Sequence, residues 1–104
     1  MSLSPAQKKT FRSIGHHLNP VVQISENGLS EGAKAELERA LSDHELIKIK
    51  LAIGDRDIRG DIIEHLASTA HAEVVQVIGK MALLYRKNPR ANPRLSNVVR
   101  YSSQ

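Results

Sequence analysis

The groups in this sequence best suited to chemistry are cations and one turn, and the chemistry they suit is holding an anion. Lys8, Lys9 and Arg12 stand near the start, Lys48 and Lys50 in the middle, and Lys80 and Arg86 further on. Between the first two groups runs Val21-Val22-Gln23-Ile24-Ser25-Glu26-Asn27-Gly28-Leu29-Ser30-Glu31-Gly32. Its β-branched residues predict a short strand, Asn27-Gly28 a turn, and Ser30 the N-cap of a helix. A strand that passes through a small loop into a helix aims backbone N–H groups at one spot, which can hold a phosphate. Any strand–loop–helix corner has that geometry, so the rest of the chain must decide whether it is used.

Other chemistries find little material. The five histidines are His16, His17, His44, His65 and His71. His16 and His17 are adjacent, so on a helix they point in different directions. No metal-ligand spacing, nucleotide-binding glycine loop or nucleophile elbow is present. Gly79-Lys80 resembles only the end of a nucleotide loop. No catalytic residue, metal site or cofactor is therefore expected. The chain has no cysteine, which excludes disulfides and thiolate metal sites. No apolar run has the length of a membrane span and no signal pattern opens the chain, so a cytoplasmic protein without a membrane partner is expected.

Charge is distributed unevenly. The chain of 104 residues has a net charge of +4, but residues 26–85 carry all eleven acids and only seven Lys and Arg. The segments 1–25 and 86–104 have cations and no acid. A basic head and tail on an acidic middle point to a polyanionic partner.

The elements that must position these cations follow from spacing. Ser4-Pro5-Ala6-Gln7 predicts a capping box with Pro at the first helical position. Phe11, Ile14 and Leu18 then lie on one helical arc, and Lys8, Lys9, Arg12 and His16 on another. Gly15 weakens the last turn, and Asn19-Pro20 ends it. A strand over Pro20–Ser25 leads to a helix from Leu29 or Ser30 to Asp43. In Leu46–Ile53 the residues Ile47, Ile49, Leu51 and Ile53 alternate with Lys48 and Lys50, so the lysines face away from the core. Asp55 caps a third helix with Ile58, Ile62, Leu66 and Ala70 on one stripe, widened by Ile63 and Ala67. Arg56 and Arg59 sit in its first turns, against the helix dipole, which hints at a ligand.

Glu73–Ile78 and Met81–Arg86 predict a hairpin around Gly79-Lys80, with Gly first as a type II′ turn requires. In that register Val75 and Val77 share the core face with Ala82 and Leu84. Asn88-Pro89-Arg90-Ala91-Asn92-Pro93-Arg94 fits neither a helix interior nor a central strand, and reads as an extended, mobile, basic tail. The chain thus divides into a domain over residues 1–87 and a tail over 88–104. The order αβαβαββ predicts a two-layer α/β sandwich on a four-stranded mixed sheet. Few aromatic residues are present, so backbone and shape recognition of structured RNA fits better than base stacking.

Several blocks resemble one family. They are Gly15-His16-His17-Leu18-Asn19-Pro20-Val21-Val22, Asn27-Gly28-Leu29-Ser30-Glu31-Gly32, His44-Glu45-Leu46-Ile47-Lys48-Ile49-Lys50, Val75-Gln76-Val77-Ile78-Gly79-Lys80 and Leu84-Tyr85-Arg86. In order and spacing they resemble the chloroplast RNA splicing and ribosome maturation (CRM) domain, in its bacterial single-domain, YhbY-like branch, over residues 3–87. The resemblance implies a fold like the C-terminal domain of translation initiation factor 3, with sheet order 1-2-4-3. It implies RNA as the partner, specifically rRNA of the precursor large ribosomal subunit, and a role in ribosome maturation without catalysis. It also places an RNA-contacting G-x-x-G loop at Ser25-Glu26-Asn27-Gly28. Gly28 keeps the second glycine, whereas Ser25 replaces the first and Glu26 adds a negative charge.

The expected RNA surface is Lys8, Lys9 and Arg12, the loop residues Ser25, Glu26, Asn27 and Gly28 with Ser30, Lys48 and Lys50, and Lys80 and Arg86. The tail adds contacts, and a monomer is expected. The alternatives are a binder of other RNA, such as mRNA or an intron, or a protein-interaction adaptor. A third reading is a small hydrolase using His16 or His44.

Overall fold

The computed structural model describes residues 3–102. The elements run α1 (Pro5–Gly15), β1 (Pro20–Ser25), α2 (Glu31–His44), β2 (Leu46–Ala52), α3 (Arg56–Thr69), β3 (Glu73–Ile78), β4 (Met81–Tyr85) and α4 (Asn97–Ser102). The strands form one sheet in the order β1-β2-β4-β3. β1 is parallel to β2, and β4 is antiparallel to both β2 and β3. This is the expected mixed sheet and strand order.

Helix starts follow the local chemistry. Ser4 and Gln7 form the reciprocal capping box of α1. Ser30 caps α2 by accepting from Ala33 N at 3.1 Å, and Asp55 caps α3 through Asp57 N and Ile58 N. On β2, alternation buries Ile47, Ile49 and Leu51 against α2 and α3, with Leu37, Leu41, Ile63 and Leu66 opposite them. Ile53 joins this core from just beyond the strand. The buried stripe of α3 is narrower than its spacing suggests. Ile58, one turn too early to reach the sheet, is 52% exposed.

The hairpin departs from the expected register. Ile78 pairs with Met81 and Val77 with Ala82, but Val74 rather than Val75 pairs with Leu84. A bulge between Val74 and Gln76 inserts the extra residue and reverses the facing of the strand before it. Val75 therefore packs with Phe11, Ile14, Leu46 and Leu83 on the second face. Val77 is 49% exposed near the end of an edge strand.

The second face of the sheet is partly covered, by α1 and α4. Gly15 makes close docking of α1 possible. A Cβ there would lie 2.8 Å from Leu83 Cδ2 and 3.1 Å from its Cγ. The glycine thus serves an approach of helix to sheet as well as weakening a turn. Gly15→Ala should destabilise the fold by about 1–3 kcal/mol through overpacking, partly offset by helix propensity. In urea unfolding, Leu83→Ala should absorb part of that cost, so the double variant is more stable than the two single effects predict. Strict additivity would remove the close approach as the cause.

The C-terminal segment also differs from its expectation. Residues 88–102 fold back on the domain, and α4 packs on α1 and β2. Ser96 and Asn97 are buried, and Val98 and Tyr101 extend the core around Phe11. The reason is a set of polar anchors distant in sequence. Ser96 Oγ donates to Glu45 Oε1 at 2.7 Å, and Asn97 Nδ2 donates to Leu46 O at 2.7 Å. Residues 88–102 thus pack on the domain, and the extended reading of the prolines does not hold over them.

Candidate nucleic-acid interface

Strand directions place the candidate residues. The carboxyl ends of β1, β2 and β3 share one end of the sheet, where α2 and α3 begin and the Gly79-Lys80 turn lies. Leu51 N donates to Lys80 O at 2.7 Å, which ties that turn to the end of β2. Such an end is where open α/β sheets bind ligands. The start of α1 lies at the opposite end, because Leu3 N donates to both carboxylate oxygens of Glu73 at the start of β3.

Between these ends the second sheet face mixes cationic, amide and apolar groups. Cross-strand neighbours place Gln23 beside Lys50, Lys50 beside Met81 and Met81 beside Ile78. A second row joins Lys48, Leu83 and Gln76. Lys50 is exposed and Lys48 half-buried. A groove of about 270 Å³ lies on this face, lined among others by Gly15, His16, Lys48, Gln76, Met81 and Leu83. Arg12 stands one helical turn before His16, so the basic stripe of α1 leads toward the lysines.

Lys48 and Lys50 thus form the centre of a cation track, with the turn that carries Lys80 at its upper end and α1, which carries Arg12 and Lys9, at its lower end. The structure does not gather these cations around the loop. β1 has six residues, so its rise puts the two ends of the track roughly 17–20 Å apart. Lys8 belongs to the lower end, and its Nζ lies 4.0 Å from Glu73 Oε2.

The loop itself is a tight turn. Gly28 N donates to Ser25 O at 2.9 Å, and Gly28 has φ +80° with open space where a Cβ would stand. The glycine is required by its left-handed backbone and not by crowding. Ser25 still pairs with Ala52 in the sheet and has no positive φ, so its Cβ is accommodated. Glu26, Asn27 and Ser30 are exposed. Glu26 and Glu31, both exposed, flank the helix start.

Two arginines have internal work. Arg86 was expected at the anion surface, but its guanidinium pairs with Glu38 and donates to Ala70 O, Glu38 O and Ser42 Oγ. It clamps α2 to the end of α3, and those partners are too far away in sequence for spacing to reveal. Arg59 donates to Ile53 O at 2.8 Å, which accounts for a cation in the first turns of α3 without any ligand. Neither guanidinium is part of the track.

The histidines have ordinary surroundings. His44 Nδ1 lies 2.8 Å from Leu95 O, and the His17 ring stacks on Tyr101 at 6.2 Å. Among the described residues no group of His, Asp and Glu is arranged for a metal. Tyr85 packs on Phe11 with ring centroids 4.7 Å apart. Burial, aided by the charges of Glu45 and Glu73, raises its pKa above the usual tyrosine value.

Residues absent from the expected set are Gln23, Gln76, Met81 and His16, which share the face with the lysines. Alternation along β1 puts Gln23 opposite Val22 and Ile24 and so carried a signal for it. Gln76 and Met81 lie between the turn and the bulge, so the two-residue hairpin alone put them on the face opposite Val77 and Ala82.

The chain is similar to several known proteins. The family model for the CRS1/YhbY (CRM) domain matches residues 3–86. A protein of Pseudomonas aeruginosa named "Probable RNA-binding protein" is 57% identical over 102 residues, covering 98% of each chain. An RNA-binding protein of Haemophilus influenzae is 45% identical over 94 residues, covering 90% of this chain and 95% of its own. The solution structure of a Staphylococcus aureus hypothetical protein, described as a candidate RNA binder, superposes with a TM-score of 0.75 at 31% identity. That match covers 86% of this chain and 93% of the other.

Proposed function

The chain belongs to the CRS1/YhbY (CRM) domain family, and from that premise we propose that it binds the backbone of structured RNA along the second sheet face. The observation that carries this reading is that Lys48 and Lys50 share the second face with Gln23 and Gln76, beside His16 at the end of the basic stripe of α1. Cations spaced along one surface fit a polyanion whose phosphates are spaced likewise, and such contacts set position and affinity without reading bases. The turn at Ser25–Gly28 and the start of α2 meet the RNA at the carboxyl ends of the strands, where exposed backbone supplies shape. Lys8 tunes the lower end while exchanging Glu73 for phosphate.

The preferred RNA is rRNA of the precursor large ribosomal subunit, and the role is to assist maturation as a binding protein in the cytoplasm. The names of the relatives support RNA as the ligand class, and the family resemblance supports the ribosomal assignment. No helix among the described residues is long and apolar enough to cross a membrane. Crosslinking in cells, with sequencing of the RNA recovered on this protein, tests the assignment. Reads concentrated in large-subunit rRNA precursors are expected; recovery of mostly mRNA would reverse it.

A further inference from the structure

The repeated Asn-Pro-Arg sequence plays no part in the track, yet the structure gives it a definite form. Asn88 Oδ1 accepts from Arg90 N at 3.0 Å, and Asn88 O accepts from Ala91 N at 3.0 Å. Four residues later Asn92 Oδ1 accepts from Arg94 N at 2.9 Å, and Asn92 O accepts from Leu95 N at 2.9 Å. The same turn is therefore built twice. In each, Asn closes the turn with its side chain and Pro presets φ at the next position.

The pair of turns is fastened at both ends. Asn88 N donates to Glu45 Oε2 at 2.8 Å, and Asn88 Nδ2 donates to Ser42 O at 2.8 Å. Beyond the second turn Ser96 donates to the other oxygen of Glu45, so one buried carboxylate holds both ends. Arg90 and Arg94 are exposed, and neither is in an ion pair among the described residues.

We propose that residues 88–96 are a pre-ordered strap that presents Arg90 and Arg94 to the phosphate backbone of the RNA bound on the second face. This rests on the RNA-binding reading and extends its surface. The strap crosses the start of β2 and leads into α4, which packs on α1, so it adjoins the lower end of the cation track. Arginine suits the task because its planar guanidinium meets phosphate oxygens with paired donors. The two turns share the same pair of closing hydrogen bonds and put an arginine at the same turn position four residues apart, a spacing that suits a repeating anionic ligand. Glu45 acts as a positioning residue and touches no ligand.

Anisotropy of a fluorescently labelled RNA hairpin, titrated at several salt concentrations, tests the proposal. Arg90→Ala with Arg94→Ala should reduce the salt slope by about 1.4–1.8 and the affinity roughly 25- to 60-fold at ~0.1 M salt. Asn88→Ala with Asn92→Ala keeps every charge and removes the side-chain closure of both turns. It should weaken binding about tenfold, because the strap must then be ordered on binding. Circular dichroism confirms the fold of each variant. If the asparagine variant does not fold, the arginine variant decides alone, since those side chains make no described contact. A wild-type slope in the arginine variant overturns the proposal, and wild-type affinity in a folded asparagine variant shows a loose arm in place of a strap. A flat slope in the wild type overturns the RNA reading itself, which is a separate and recognisable result.

Discussion

Replacing Lys48, Lys50 and Lys80 together by alanine should lower affinity for structured RNA by roughly 100- to 1,000-fold at ~0.1 M salt. Each phosphate neutralised contributes a salt-dependent term of about 0.7–0.9 log units per decade of salt, so three contacts account for about 2–3 log units at that concentration. The fold should survive. Lys50 and Lys80 are exposed, and Lys48 contributes mainly its alkyl stem beside Leu83. An unfolding midpoint close to wild type with RNA binding lost would place these lysines at the interface. A loss of less than about threefold would remove the middle and upper parts of the track from the RNA surface.

The second large effect concerns stability. Glu45→Ala should cost about 2–4 kcal/mol, because two hydrogen bonds to a carboxylate are lost and their donors are left behind. Ser96 has no exposed surface, so its hydroxyl cannot turn to water in place of Glu45. For a domain of this size such a loss lowers the thermal midpoint by roughly 10–20 °C. Hydrogen exchange should show the amides of Ser96 and Arg100 opening first, since they bond within the strap and into α4. Glu45 also has φ +59°, a strained value for a side-chain-bearing residue, so Glu45→Gly should recover about 1 kcal/mol relative to alanine. An alanine variant as stable as wild type would mean that the carboxylate does not hold the strap.

Much of this fold was legible because the informative signals are local. Alternation along Leu46–Ile53 separates Lys48 and Lys50 from the core, and the caps at Ser4, Ser30 and Asp55 are read from a few adjacent residues. The loop glycine at Gly28 was equally plain, since Asn-Gly after a β-branched run calls for a left-handed turn.

What the sequence did not reveal depends on partners distant along the chain. Val74, Val75 and Val77 are all apolar, so nothing local marks the bulge that sends Val75 to the second face. Gly15 resembles an ordinary helix breaker until Leu83 is placed against it. Arg86 resembles a surface cation until Glu38, Ser42 and Ala70 converge on it. The Asn-Pro-Arg repeat has a loop composition, and only Glu45 and Ser42, some forty residues earlier, turn it into an ordered strap. Lys48 and Lys50 could be assigned to one face from alternation, but their neighbours Gln23 and Leu83 across the sheet needed the strand order.

On the proposed reading, cations along the second face hold RNA through its backbone. The most direct measurement is the affinity of the wild-type protein for a structured RNA between ~50 and ~200 mM salt. With Lys9, Arg12, Lys48, Lys50 and Lys80 engaged, and Arg90 and Arg94 added by the strap, log affinity should fall against log salt with a slope of about −5 to −6. A slope shallower than about −1 would contradict the account, because it leaves no more than one phosphate neutralised.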